Sequence, residues 1–157
     1  MVTHVYERYV TNCPYVRARE YLHAALESVV KNHRTTTLSL KAGMLEKPVV
    51  VSYERGVDPM RFDEPWRVHW TPEGGGPYPD FDGEITVCAD YSYRSAILEL
   101  RGEYVPPLGT FGQAFDLLVG SRIAAATART LLQQLAHVME TRYELEEAAK
   151  GRIGSTA

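Results

Sequence analysis

A chain of 157 residues, 45% hydrophobic and 24% charged, is long enough to bury the core of one domain, and its composition excludes disordered and fibrous classes. The net charge of -3 comes from 17 basic residues scattered among 20 acidic ones, so no basic patch or tail offers itself to nucleic acid. The N-terminal MVTHVYERYV lacks the apolar core of a signal peptide and no apolar run reaches membrane-spanning length, so the expectation is a cytoplasmic protein without a membrane span.

Residues 2–11, rich in valine and tyrosine, read as a strand that ends at Asn12-Cys13-Pro14, where proline fixes φ and removes a donor. In YVRAREYLHAALESVV the apolar positions Val16, Leu22, Leu26 and Val29 or Val30 recur every three to four residues, which predicts a short helix ending near Lys31-Asn32-His33. The period then changes to two for about seventy residues. Leu38 and Leu40, then Val49, Val51 and Tyr53, then Trp66, Val68 and Trp70, then Ile85, Val87 and Ala89, then Leu98 and Leu100 fall on one face. Polar residues such as Ser52, Arg67, His69, Glu84, Glu99 and Arg101 fall on the other. Successive side chains of a strand alternate faces, so this is an antiparallel sheet with one apolar and one wet side. The Gly, Pro, Asp and Ser clusters at Gly43, 56–59, 74–83 and 90–94 supply its turns.

Residues 113 to about 149 carry no proline and one glycine, Gly120, and are crowded with good helix formers. Phe115, Leu118 or Val119, Ile123, Ala126, Leu131, Leu135 and Val138 or Met139 form an apolar stripe that needs a broad surface to lie on, and the sheet is the only one of that size. The order strand, helix, several strands, long helix is an α+β pattern, with helices on one face of an antiparallel sheet. Residues 1–150 read as a single domain and GRIGSTA, 151–157, as a disordered tail.

Cys13 and Cys88 lack any CxxC partner and are expected to be buried structural thiols. The five histidines stand at no ligand spacing, and GxGxxG, GxxxxGK[ST], GxSxG and HExxH are absent, so no metal and no cofactor is expected.

From Val68 to Glu140 the chain carries HWTP, YPDFDGEITV, LELRGEYVPP, LGTFGQAFD and IAAATARTLLQQLA. With these motifs it resembles a bacterial branch of the START-related superfamily, the group that includes polyketide cyclase/dehydrase and lipid-transport proteins. The resemblance implies the helix-grip fold: a curved antiparallel sheet wrapped around a long C-terminal helix, with one short helix near the N-terminus. It also implies an internal apolar pocket that holds a hydrophobic small molecule or lipid.

The pocket residues expected on that basis are Tyr53, Trp66, Val68, Trp70, Val87, Tyr91, Leu98, Leu100, Leu108, Phe111, Phe115, Val119 and Ile123. Ala89, Ala125, Ala126 and Gly102 are the small residues expected beside them. In YVPPLGTFGQAFD the prolines stiffen the exit from the last strand and the glycines permit the reversal, which places Leu108 and Phe111 at a rim.

Three functions are consistent with this reading: binding of an apolar small molecule, a cyclase/dehydrase-type enzyme working with Tyr53, Tyr91, Tyr104 and Arg55, and an interaction module with a filled core. Asp116 in the first helical turn is accounted for by the helix dipole. Arg122 and Arg129 are expected to pair with a strand edge or with Glu20.

Overall fold

Pro14, at φ -57° and ψ 143°, turns the first strand into the first helix. In the computed structural model, which describes residues 3–32, 36–42, 45–56, 58–74, 80–105 and 120–154, these elements are β1 (Thr3–Thr11) and α1 (Tyr15–Lys31). The period-two stretch follows as β2 (Thr36–Ala42), β3 (Leu45–Arg55), β4 (Trp66–Pro72), β5 (Asp80–Ala89) and β6 (Ala96–Val105), and α2 (Ser121–Gly154) closes the order. Asn32 caps α1, its backbone N–H donating to Ser28 O at 3.2 Å and its side-chain amide to the same oxygen at 2.9 Å.

The strands form one antiparallel sheet in the order β1-β6-β5-β4-β3-β2, a meander whose last strand returns to pair with the first. α2 touches β1 and β6, and also β2 at the opposite edge. One helix reaches both edges of a six-stranded sheet only if the sheet curls around it, so the α+β architecture expected from the sequence is the one found.

The faces follow the alternation. Val49, Val51, Tyr53, Trp66, Val68, Trp70, Ile85, Val87, Leu98 and Leu100 are all buried on the concave side, each contributing about 1.5–3 kcal/mol for the aliphatic ones. On the helix the expected stripe is found at Ile123, Leu131, Leu135 and Met139, the alternative to Val138, and Ala126 departs from it. Ile123, Ala124, Thr127, Ala128, Leu131, Leu132, Leu135, Ala136 and Met139 are buried, while Ala125 is half-buried and Ala126 and Val138 are exposed. The AAATA run has too little contrast to set the phase, and the leucine pair Leu131-Leu132 sets it instead.

Polar contacts fix how the helices dock. Arg129 pairs with Glu7 of β1 at 3.3 Å, the strand-edge partner expected of it, while Glu20 pairs with Arg17 at 3.3 Å. Glu140 accepts from the Thr11 hydroxyl at 3.1 Å and from the Asn12 backbone N–H at 2.9 Å, so one carboxylate on α2 holds the β1–α1 corner. The Tyr21 hydroxyl donates to Glu146, which also binds Arg17 at 3.1 Å and Arg142 at 3.3 Å. Burial, then the bond to Glu146, pushes the Tyr21 hydroxyl up to about 12.

Cys13 is fully buried at this corner, and its thiol is pushed up to about 11, by burial first and the Glu140 charge second. At pH 8 it is expected to resist a thiol-specific disulfide reagent in the native protein and to react at once in urea; rapid native reaction at Cys13 would contradict the buried corner. Cys88 departs from expectation. It is half-buried, because it sits on the outer face, which only neighbouring side chains cover.

α2 runs through Gly154, so residues 151–154 are helical rather than part of a tail. Ala148, Ala149 and the Lys150–Glu147 pair at 2.9 Å carry the helix past Gly151. Residues 155–157 lie outside the described residues, as does the junction from Pro106 to Val119. The expectations for Leu108, Phe111, Phe115, Asp116, Val119 and a helix start at Gln113 therefore fall outside them too. No helix among the described residues is long and apolar enough to cross a membrane.

Candidate functional site

Gly83 and Gly102 face each other across β5 and β6. A Cβ on Gly102 would stand 2.4 Å from Phe81 Cζ and 2.5 Å from the Asp82 carbonyl oxygen; one on Gly83 would stand 2.4 Å from the Arg101 carbonyl oxygen and 2.7 Å from Phe81 Cε1. The Phe81 ring thus occupies the space above the pair, which a side chain at either position would fill. Trp70, the cross-strand partner of Phe81, stacks on it with ring centroids 3.9 Å apart and planes 10° from parallel. The face-to-face pair is fully buried and forms the aromatic floor of the concave side, with Phe81 over the glycines and Trp70 against Phe81. The Trp70 indole N–H meets no acceptor among the described residues.

The α1 end of the sheet is wired differently. The Trp66 indole N–H donates to His23 Nδ1 at 2.7 Å, which leaves the proton of the neutral ring on Nε2, 3.0 Å from Glu64. Glu64 also binds Arg19 at 3.2 Å, and it reaches α1 from a backbone held at φ 45°, a conformation that a residue with a Cβ adopts seldom. Burial holds the His23 ring below its ordinary value, against the pull of the Glu64 charge. With both nitrogens engaged, His23 ties α1 to β4 and has no free nitrogen for acid–base work on a ligand.

The outer face carries its own buried charge. Glu99, expected to be wet, is only 6% exposed. It accepts from the Tyr6 hydroxyl at 2.9 Å and pairs with Arg8 at 3.1 Å and Arg101 at 3.0 Å, while Arg101 lies 4.9 Å from the centroid of the Tyr6 ring. Burial alone would push this carboxyl up; the Tyr6 bond and the two arginines outweigh it and hold it below the ordinary range. A shallow groove of about 750 Å³ runs alongside, lined by His4, Glu84, Arg101 and Glu103 among others. Charges of both signs suit it to water rather than to an apolar molecule.

Of the expected pocket residues, Tyr53, Trp66, Val68, Trp70, Val87, Leu98, Leu100 and Ile123 are brought to the buried side of the sheet and helix. Tyr91 is not. It is fully exposed in the β5–β6 turn, where its own backbone N–H donates to Asp90 Oδ1 at 2.7 Å and the chain has left the strand. Arg55 is also corrected: it pairs with Glu27 of α1 at 3.0 Å and is more than half exposed. Phe81 was missed, although an aromatic two residues before a glycine in a strand is a readable sign of a ring lying over that glycine. Among the described residues, no group of three or more His, Cys, Asp or Glu side chains is placed to hold a metal ion.

No family model matches the sequence, and no curated protein matches it. Solved structures do. TTHA0849 from Thermus thermophilus is 15% identical, with a TM-score of 0.54, over 89% of this chain and 99% of its own. Ara h 8.0201 is 8% identical, with a TM-score of 0.51, over 90% of this chain and 97% of its own. A START superfamily protein from Mycobacterium smegmatis is 11% identical, with a TM-score of 0.46, over 90% of this chain and 97% of its own. The first two likenesses run almost end to end in both chains, and with the element order they decide the fold. This is the helix-grip fold. In a helix-grip domain the concave face and the long helix enclose the interior between them, which is where the Trp70–Phe81 floor lies.

Proposed function

We propose that this helix-grip domain binds an apolar small molecule, aromatic or lipid-like, between the concave sheet face and α2. The observation that carries the reading is the buried Trp70–Phe81 stack, with the Phe81 ring over the Gly83–Gly102 pair. The two glycines give up side-chain volume at one level of the sheet, the Phe81 ring takes it, and the stack is thereby held in place as an aromatic surface on the concave side. In this reading Tyr53, Val68, Val87, Leu98, Leu100 and Ile123, with Phe115 and Val119, wall the space, and Leu108 and Phe111 belong to its rim. Trp66 closes the α1 end, its N–H already committed to His23. Catalysis draws less support, since Arg55 is bound to Glu27 and Tyr91 stands in solvent. The partner is a small molecule rather than nucleic acid.

Native mass spectrometry of the protein purified from its own organism tests the proposal. The expected result is a mass above that of the bare chain, released in organic solvent and identifiable as an apolar compound. A bare-chain mass in the native spectrum, together with no xenon uptake into the interior by NMR, would mean a filled core and would end the binding reading.

A further inference from the structure

The two tryptophans of this chain are both buried and are treated differently. Trp66 gives its N–H to His23 at 2.7 Å; the N–H of Trp70 has no acceptor among the described residues. Its cross-strand neighbours are Val51 and Phe81, and Val68 and Pro72 flank it on the same face of its own strand. None of these side chains carries an acceptor. Folded proteins satisfy nearly all such groups, and a water placed here would find too few polar partners on these side chains to be held.

We propose that the molecule bound on the aromatic floor presents an oxygen acceptor of the carbonyl class to Trp70 Nε1, at the edge of a flat and otherwise apolar body. The proposal rests on the binding reading above. Indole donates and cannot accept, so the site suits a ketone, quinone or ester oxygen and gives no hydrogen bond to an ammonium, which has no lone pair. In a dry interior that single bond is stronger than it would be in water, so it orients the ligand as well as holding it. The stack fixes the plane of the indole, and with it the direction in which the N–H points.

The test uses 9-fluorenone and fluorene, two flat tricycles that differ by one carbonyl oxygen. By calorimetry the wild-type protein is expected to bind fluorenone about tenfold more tightly than fluorene, a difference of about 1.4 kcal/mol. In Trp70→Phe, fluorenone is expected to fall to the affinity of fluorene while fluorene is unchanged. The wild-type protein supplies a second readout that does not depend on the variant folding: of its two indole N–H resonances, that of Trp70 moves downfield with fluorenone and not with fluorene, while that of Trp66 stays. Equal affinities with a stationary Trp70 resonance overturn the acceptor assignment and leave the binding reading standing. Binding of neither compound overturns both.

Discussion

Gly102→Ala is expected to destabilise the protein by about 3 kcal/mol and to lower its melting temperature by roughly 6–12 °C. The added Cβ would lie 2.4 Å from Phe81 Cζ, 2.5 Å from the Asp82 carbonyl oxygen and 2.7 Å from Gly83 Cα. Two of those three atoms are backbone, so the collision cannot be relieved by rotating a side chain. The strands must part, or Phe81 must leave its place and take the Trp70 stack with it. A control of opposite sign is built into the same chain. Gly151→Ala meets nothing within 4 Å on the exposed end of α2, and there the better helix propensity of alanine is worth up to about 1 kcal/mol. Thermal unfolding of the two variants beside wild type reads both effects. A Gly102→Ala protein with an unchanged melting temperature would show that the floor yields, and the flat-ligand site would lose its geometric basis.

The glycines at 83 and 102 were visible in the sequence, but their pairing was not, because register is a property of two strands read together. What the sequence did expose was the alternation. From Val49 to Leu100 every position assigned to the apolar face that the structure describes as fully sheltered carries a large side chain, and period two is a local signal that needs no tertiary information. The same logic failed at Tyr91, where Asp90 binds the next backbone N–H and ends the strand before the period can carry further. It failed in another way at Glu99, which alternates outward as expected but is covered by Tyr6 and Arg8 from β1. The strand β1 is first in sequence yet pairs with the last strand, β6, so a window around Glu99 contains Arg101 but neither Tyr6 nor Arg8. Ala126 was misplaced for a simpler reason: in IAAATAR the small side chains look alike on most faces, whereas Ile123, Leu131 and Leu135 were placed correctly. Tertiary wiring such as Trp66 to His23 lies beyond any periodic reading.

Trp66→Ala is expected to lose about 3–5 kcal/mol and, in the same experiment, to change how stability depends on pH. The first effect is the deletion of a large, fully buried ring. The second follows from His23. Burial keeps its folded-state pKa below the ordinary value, so the unfolded chain takes up the proton first as pH falls. The contribution of neutral His23 is therefore complete above about pH 6.5 and is lost as pH drops from there toward the folded pKa. Protonation also turns Nδ1 into a donor facing the Trp66 N–H, which opposes the bond tying α1 to β4 there. Alanine at 66 removes that opposing donor and opens the ring to water, so the folded pKa rises toward 6.5 and the acid slope flattens. Trp66→Phe separates the two parts: it keeps most of the packing, loses about 1–2 kcal/mol with the N–H, and relieves the donor conflict. Urea unfolding at pH 7.5 and pH 5.5 for wild type and both variants measures this. If Trp66→Ala retained the wild-type difference between the two pH values, the depressed His23 would owe nothing to Trp66, and the contact would be a matter of packing alone.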